Sequence, residues 1–167
     1  MMQTYLKAFG LGLSIGMRTL VSPAFLSRKL AGTPPAQQPN TPLHFVTQPT
    51  MVRSLEVLAG IEVITDKFPG IPDRTVPFQF GGRMVSGAAC GGFLSQVEEA
   101  SIPIGAAAGV LGAVASTLAF FHLRQWLTHS QGVSDPVVAL VEDALCIGGA
   151  WAIANTVDLT RPTDATL

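Results

Sequence analysis

Six ionisable side chains stand out inside largely apolar stretches. Arg18 falls in residues 5–26, Glu62 and Asp66 in 51–68, Arg83 in 80–97, and Glu142 and Asp143 in 136–157. An Asp, Lys or Arg at the centre of a membrane helix costs about 2.5–3.5 kcal/mol on insertion scales, so such a group faces a partner or water. Glu62 and Asp66 are four apart and share one helix face. Glu142 and Asp143 stand about two turns into their stretch, where the helix dipole favours negative charge. Cations and acids on separate segments point to one intramembrane polar cluster. Its chemistry is either a relay or coordination site for a proton, cation or small solute, or a set of ion pairs that hold helices in register. For Arg18 the best partners are Glu142 and Asp143.

Other chemistry finds little support. His44, His122 and His129 form no H-E-x-x-H or Cys/His metal spacing, and neither a G-x-S-x-G elbow nor a phosphate-binding glycine loop is present. His122 with Arg124 reads as an interfacial anchor. Cys90 and Cys146 fall in apolar runs and read as small buried hydrophobes. The expectation is a chain that is not an enzyme, with no metal and no cofactor. A net charge of −1 gives no basic footprint for nucleic acid.

The elements that must position these charges follow from composition. Charged residues are 13% of 167, about half the share in soluble globular proteins. A water-soluble domain of this size needs more polar surface, whereas lipid removes that need. Five stretches are marked, 5–26, 51–68, 80–97, 102–126 and 136–157, with a proline-rich linker at 31–49. Residues 102–121 carry no charge and match the roughly 20 residues that cross a bilayer. The first stretch reads as a span rather than a cleaved signal, because Arg18 interrupts it and no small-x-small site follows closely.

The runs are continuous and rich in Ala, Gly and Leu, unlike the alternation of barrel strands. The expected fold is a single-domain, all-α membrane bundle of four or five short helices. Asp135-Pro136 reads as an N-cap followed by proline at the first helical position. Small residues recur four apart, as Gly12/Gly16, Gly87/Gly91 and Gly105/Gly109. Such ridges let helix backbones approach closely in lipid, within one chain or at a homo-oligomer interface.

The pattern Gly12-x-x-x-Gly16-Met17-Arg18-Thr19 leading to Pro23, with Glu62, Asp66-Lys67 and Pro69, then Asp135-Pro136 leading to Val141-Glu142-Asp143, resembles the bacterial membrane proteins grouped as domain of unknown function 4126. The resemblance spans most of the chain outside the linker. It implies a multi-pass protein of the bacterial inner membrane, with these polar positions as a signature, and it implies no activity. From the residues, a small transporter or channel-like protein is the leading expectation, and a non-transporting scaffold the alternative. The expected partners are the lipid bilayer and a small ion or solute, with no nucleic acid. If five spans alternate sides, Lys7, Lys67, Arg74, Arg83 and Arg124 fall on one face and Arg28, Lys29, Arg53 and Arg161 on the other. That split gives almost no orientation bias and slightly favours a cytoplasmic N-terminus.

Overall fold

The computed structural model describes residues 1–32, 42–65, 77–157 and 159. These form helices α1 (Met2–Met17), α2 (Val21–Leu30), α3 (Pro42–Thr47), α4 (Pro49–Thr65), α5 (Pro77–Val97), α6 (Ile102–Gln125) and α7 (Asp135–Asn155). A π-helical turn, Trp126–Ser130, prolongs α6. No strand occurs among the described residues.

The first apolar stretch is not one helix. It breaks at Arg18, whose backbone is extended (φ −138°, ψ 118°), and resumes as α2. Pro23 gives the local reason: in a continuous helix its ring would collide with the carbonyl of Thr19, and it offers no N–H. The chain then reverses. Ser22 Oγ donates to the carbonyl of Leu11 at 3.2 Å, and Leu26 and Leu30 join Ala8, Leu11 and Ile15 in one core cluster. Gly32 comes to rest near the side chain of Leu159, while Lys7 Nζ donates to the carbonyl of Thr156 at 2.9 Å. Both ends of the α1–α2 hairpin therefore lie at the C-terminal end of α7. The expected continuous span over 5–26 is replaced by a re-entrant pair.

Glycines set how the longer helices meet. α1 runs parallel to α6, with Gly12 on Gly109 and Gly16 on Ala113 and Ser116. α5 runs antiparallel to α6, with Gly87 on Gly109 and Gly91 on Gly105. A Cβ on Gly12 would strike the carbonyl oxygen of Gly109 and stand 2.9 Å from the nitrogen of Ala113. A Cβ on Gly87 would stand 2.7 Å from the same Gly109 oxygen. Backbone rests on backbone there, so each glycine is fixed by space. α7 lies antiparallel to α1, since Gly10 meets Ile153 and Cys146 Sγ donates to the carbonyl of Ser14 at 3.3 Å.

α4 covers one side of α2 and runs antiparallel to it, with Arg28 Nη1 bonded to Glu56 Oε1 at 2.6 Å. The linker expectation over 31–49 is corrected from residue 42 onward, where α3 and the start of α4 are helical; residues 33–41 lie outside the described residues. The N-cap of α7 is Ser134 rather than Asp135, which occupies the first turn. The reversal of α2 also moves charge. Arg28, Lys29 and Arg53 come to the end that holds Lys7, not to the opposite one.

Large apolar side chains face outward, among them Ile61 and Ile64 on α4, Leu111 on α6, and Leu140 and Trp151 on α7. Two helices are long and apolar enough to cross a membrane, Ile102–His129 and Asp135–Asn155. That is fewer than the four or five expected from the sequence. α1 with 16 residues and α2 with 10 are each shorter than the roughly 20 residues of a full span.

These contacts separate two kinds of glycine. Gly109→Ala is expected to lower stability by about 1–3 kcal/mol, because its Cβ has no room between packed backbones. Gly148→Ala meets open space and is expected to gain about 0.5–1 kcal/mol of helix stability. Equilibrium unfolding of the detergent-solubilised variants measures both signs.

Candidate functional site

The site is the break between α1 and α2. An interrupted helix leaves N–H groups at the start of the next segment with no intrahelical acceptor. Here α4 supplies the acceptor. Glu62 Oε1 accepts from the backbone N–H of Thr19 at 2.6 Å, and Oε2 from that of Leu20 at 2.8 Å. A carboxylate divided between two N–H groups at a helix start also meets the positive end of the helix dipole. Glu62 thus binds backbone, not the guanidinium that simple charge pairing would have chosen.

Arg18 is turned away from Glu62 by its extended backbone and is fully buried, at 0% exposure. Its partner is Asp143 of α7: Nε donates to Oδ1 at 2.7 Å, and Nη2 lies 2.6 Å from the same oxygen. Asp143 is itself 6% exposed. Breaking one side of such a pair strands the other charge, which is why burial raises its stake. Of the two acids proposed for Arg18, geometry selects Asp143.

Glu142 belongs to a second group. Its Oε2 lies 3.6 Å from Nη1 of Arg124, and Arg124 makes a two-pronged bond to Asp135, Nε to Oδ1 at 2.8 Å and Nη2 to Oδ2 at 2.6 Å. This clamp ties the end of α6 to the first two turns of α7, across the loop where Gly132 adopts a positive φ of 66°. The six sequence candidates are therefore divided. Arg18, Asp143 and Glu62 surround the break, Glu142 joins Arg124, and Asp66 lies outside the described residues. Arg83 is buried in the first turns of α5.

Thr19, Leu20, Glu62, Gln79 and Arg83 share a cavity of about 750 Å³ between the upper ends of α4 and α5. It brings the capped helix start, a carboxylate and a guanidinium to one space. Sequence reading missed the two backbone N–H groups and the Arg124–Asp135 clamp. Pro23, five residues after Arg18, was the available signal for the first; no local signal marks the second.

Arg18→Leu is expected to cost about 3–5 kcal/mol, because it breaks a buried ion pair from one side. Asp143→Asn in the same chain should recover a good part of that loss, and Glu142→Gln should not. Denaturation of the single and double variants in detergent gives the coupling, and equal rescue by both acids would remove the pair assignment.

No curated protein and no solved structure matches the chain. The family comparison covers nearly all of it. Residues 6–156, which contain the whole of this arrangement, match the model described as Domain of unknown function (DUF4126), and the protein is a member of that family.

Proposed function

We propose that the protein is a multi-pass membrane protein, transporter- or channel-like, in which a small ion or polar solute reaches the break between α1 and α2. The observation that carries this reading is the Glu62-capped helix start opening on the 750 Å³ cavity. Non-helical backbone at membrane depth is tolerated only where protein or a water-filled cavity satisfies it. Half-helix ends near the midplane are where many transporters hold ions and anionic groups. Asp143 is the ninth residue of α7, about 12 Å from one end of that helix and 18 Å from the other, so the break sits near mid-depth.

In this reading Glu62 plays the part of a tethered anion. It occupies the two N–H donors that a solute carboxylate or other small anion would use, and releasing it needs an exchange partner. Arg83 lines the same space and brings a positive charge to it. Arg18–Asp143 then fixes the hairpin apex on α7 and takes no part in the exchange. The protein performs no covalent chemistry, and the lipid bilayer of a bacterial inner membrane is its surroundings.

A scaffold reading is favoured by one observation, the closed Arg18–Asp143 pair at full burial. Ions held like that serve helix register without transport. Flux into proteoliposomes over a panel of monovalent cations, small carboxylates and pH gradients separates the two. The transport reading expects flux that Glu62→Gln changes by tenfold or more, about 1.4 kcal/mol in the site, with thermal stability altered far less. An absence of flux across the panel from folded, reconstituted protein leaves the scaffold.

Lys7, Arg28, Lys29 and Arg53 gather at one end, and cationic ends favour the cytoplasm. A cysteine placed at Gln131 is therefore expected to react with a membrane-impermeant maleimide in intact cells, and one placed at His44 to stay protected. The reverse pattern inverts the topology. Both native cysteines are buried and give a low background.

A further inference from the structure

We propose that the cleft between α2, α4 and α7 binds one phospholipid of net negative charge, with an acyl chain along the cleft and the phosphodiester on Arg28 and Lys29. The inference rests on the membrane reading above. The cleft encloses about 830 Å³, within the roughly 300–1,000 Å³ range of ligand pockets. It exists because α2 is short and reversed. α4 and α7 each pack on α2 and rise on either side of it, leaving the outer face of α2 as a floor of Val21, Ala24 and Phe25. Gly60 and Val63 form one wall, Ile147 and Trp151 the other.

Charge is confined to one end. Arg28 and Lys29 occupy the last turn of α2, and Glu56 is the one carboxylate among the described lining residues. Two cations against one carboxylate leave a single positive charge, which one phosphodiester neutralises. The Arg28–Glu56 pair does not forbid this. Its side chains are 72% and 35% exposed, such pairs hold weakly, and a guanidinium has further N–H donors for a phosphate.

Length fits the same occupant. Ten residues of α2 rise roughly 15 Å, which is half of the roughly 30 Å hydrocarbon core of a bilayer. The cationic end lies level with Asn155 at the end of α7, and the apolar end, at Ile147, lies one helical turn from Asp143. A headgroup contact at the interface and an apolar trough running to mid-depth describe one leaflet. A soluble peptide would need polar groups along that trough, and the side chains lining it are apolar.

The test uses full-length protein purified in mild detergent, delipidated, and exposed to mixed micelles of phosphatidylglycerol and phosphatidylcholine, with bound lipid read by native mass spectrometry. One phosphatidylglycerol per chain should be retained in preference to phosphatidylcholine. Arg28→Gln or Lys29→Gln should each weaken that retention roughly fivefold, one cation near a membrane surface contributing about that factor, with little change for phosphatidylcholine. Gly60→Leu should reduce both lipids by filling the cleft. A Cβ there touches no other atom, so its melting temperature should not fall below that of the parent. Equal retention of the two lipids by the parent chain overturns the proposal, as does unchanged retention in Gly60→Leu. A lipid-free dimer that Gly60→Leu dissolves overturns it too, by placing a second copy in the cleft. Recovery of the chain as a detergent-free soluble monomer instead removes the membrane reading itself, before any lipid is compared.

Discussion

The structure depends on satisfying a helix start in the middle of a bundle. Once Pro23 stops α1 from continuing, the N–H groups of Thr19 and Leu20 must find an acceptor away from bulk water. A buried donor without one costs about 1–3 kcal/mol, and the turn that leads into α2 holds several. Glu62 meets two of them at 2.6 and 2.8 Å, which fixes the register of α4 on α2. Arg18 cannot remain in α1 or follow α2. Its extended backbone points the guanidinium at α7, and Asp143 fixes that helix in turn. Two carboxylates on two helices thereby set the positions of both walls of the α2 cleft.

Close packing is the other condition. The reversal of α2 leaves α1 to be held by α6 and α5, which requires backbones in contact along its far side. Gly12 and Gly16 supply that against α6, and Gly87, Gly91, Gly105 and Gly109 join α5 to α6 in the same way. Serine hydroxyls share these seams, since Ser116 lies at Gly16 and Ser95 at Gly105. In lipid such packing, rather than exclusion of water, holds helices together, so small residues matter more than large apolar ones. The large ones are correspondingly found on the outside, as Ile61, Ile64, Leu140 and Trp151 are.

What could be read from the sequence divides along the same line. The glycine spacing and the charge-free run of α6 are local patterns, and each has one physical reading at helical period. The family pattern was also local, through Gly16-Met17-Arg18-Thr19 and Glu142-Asp143. The break was not legible, because Arg18 within an apolar run looks the same whether it sits in a helix or at a corner. Pro23 lowered the odds of a continuous helix without giving the direction of the chain after it. Glu62 was singled out for its charge, yet its partners are backbone groups 42 and 43 residues away, which no side-chain pattern records. Arg124 and Asp135 are 11 apart and meet only because the loop between α6 and α7 reverses the chain. Two helices are long and apolar enough to cross a membrane, whereas the sequence count and the orientation bias both assumed that every apolar stretch crosses and none returns.

The two carboxylates at the break are not equivalent, and the difference bears on which one can move. Asp143 faces a buried guanidinium, and removing one member of a buried pair is costly. Glu62 faces two neutral N–H groups beside a cavity, so neutralising or withdrawing it exposes donors that another acceptor can take up. A strong pair and a replaceable cap next to it suit a rigid apex with one movable ligand. If both contacts were of the first kind, the hairpin would be a brace. If both were of the second, its apex would have nothing to hold it while Glu62 was displaced. Under the proposed transport reading, the division gives support to α7 and exchange to α4, the helix whose last turn borders the cavity.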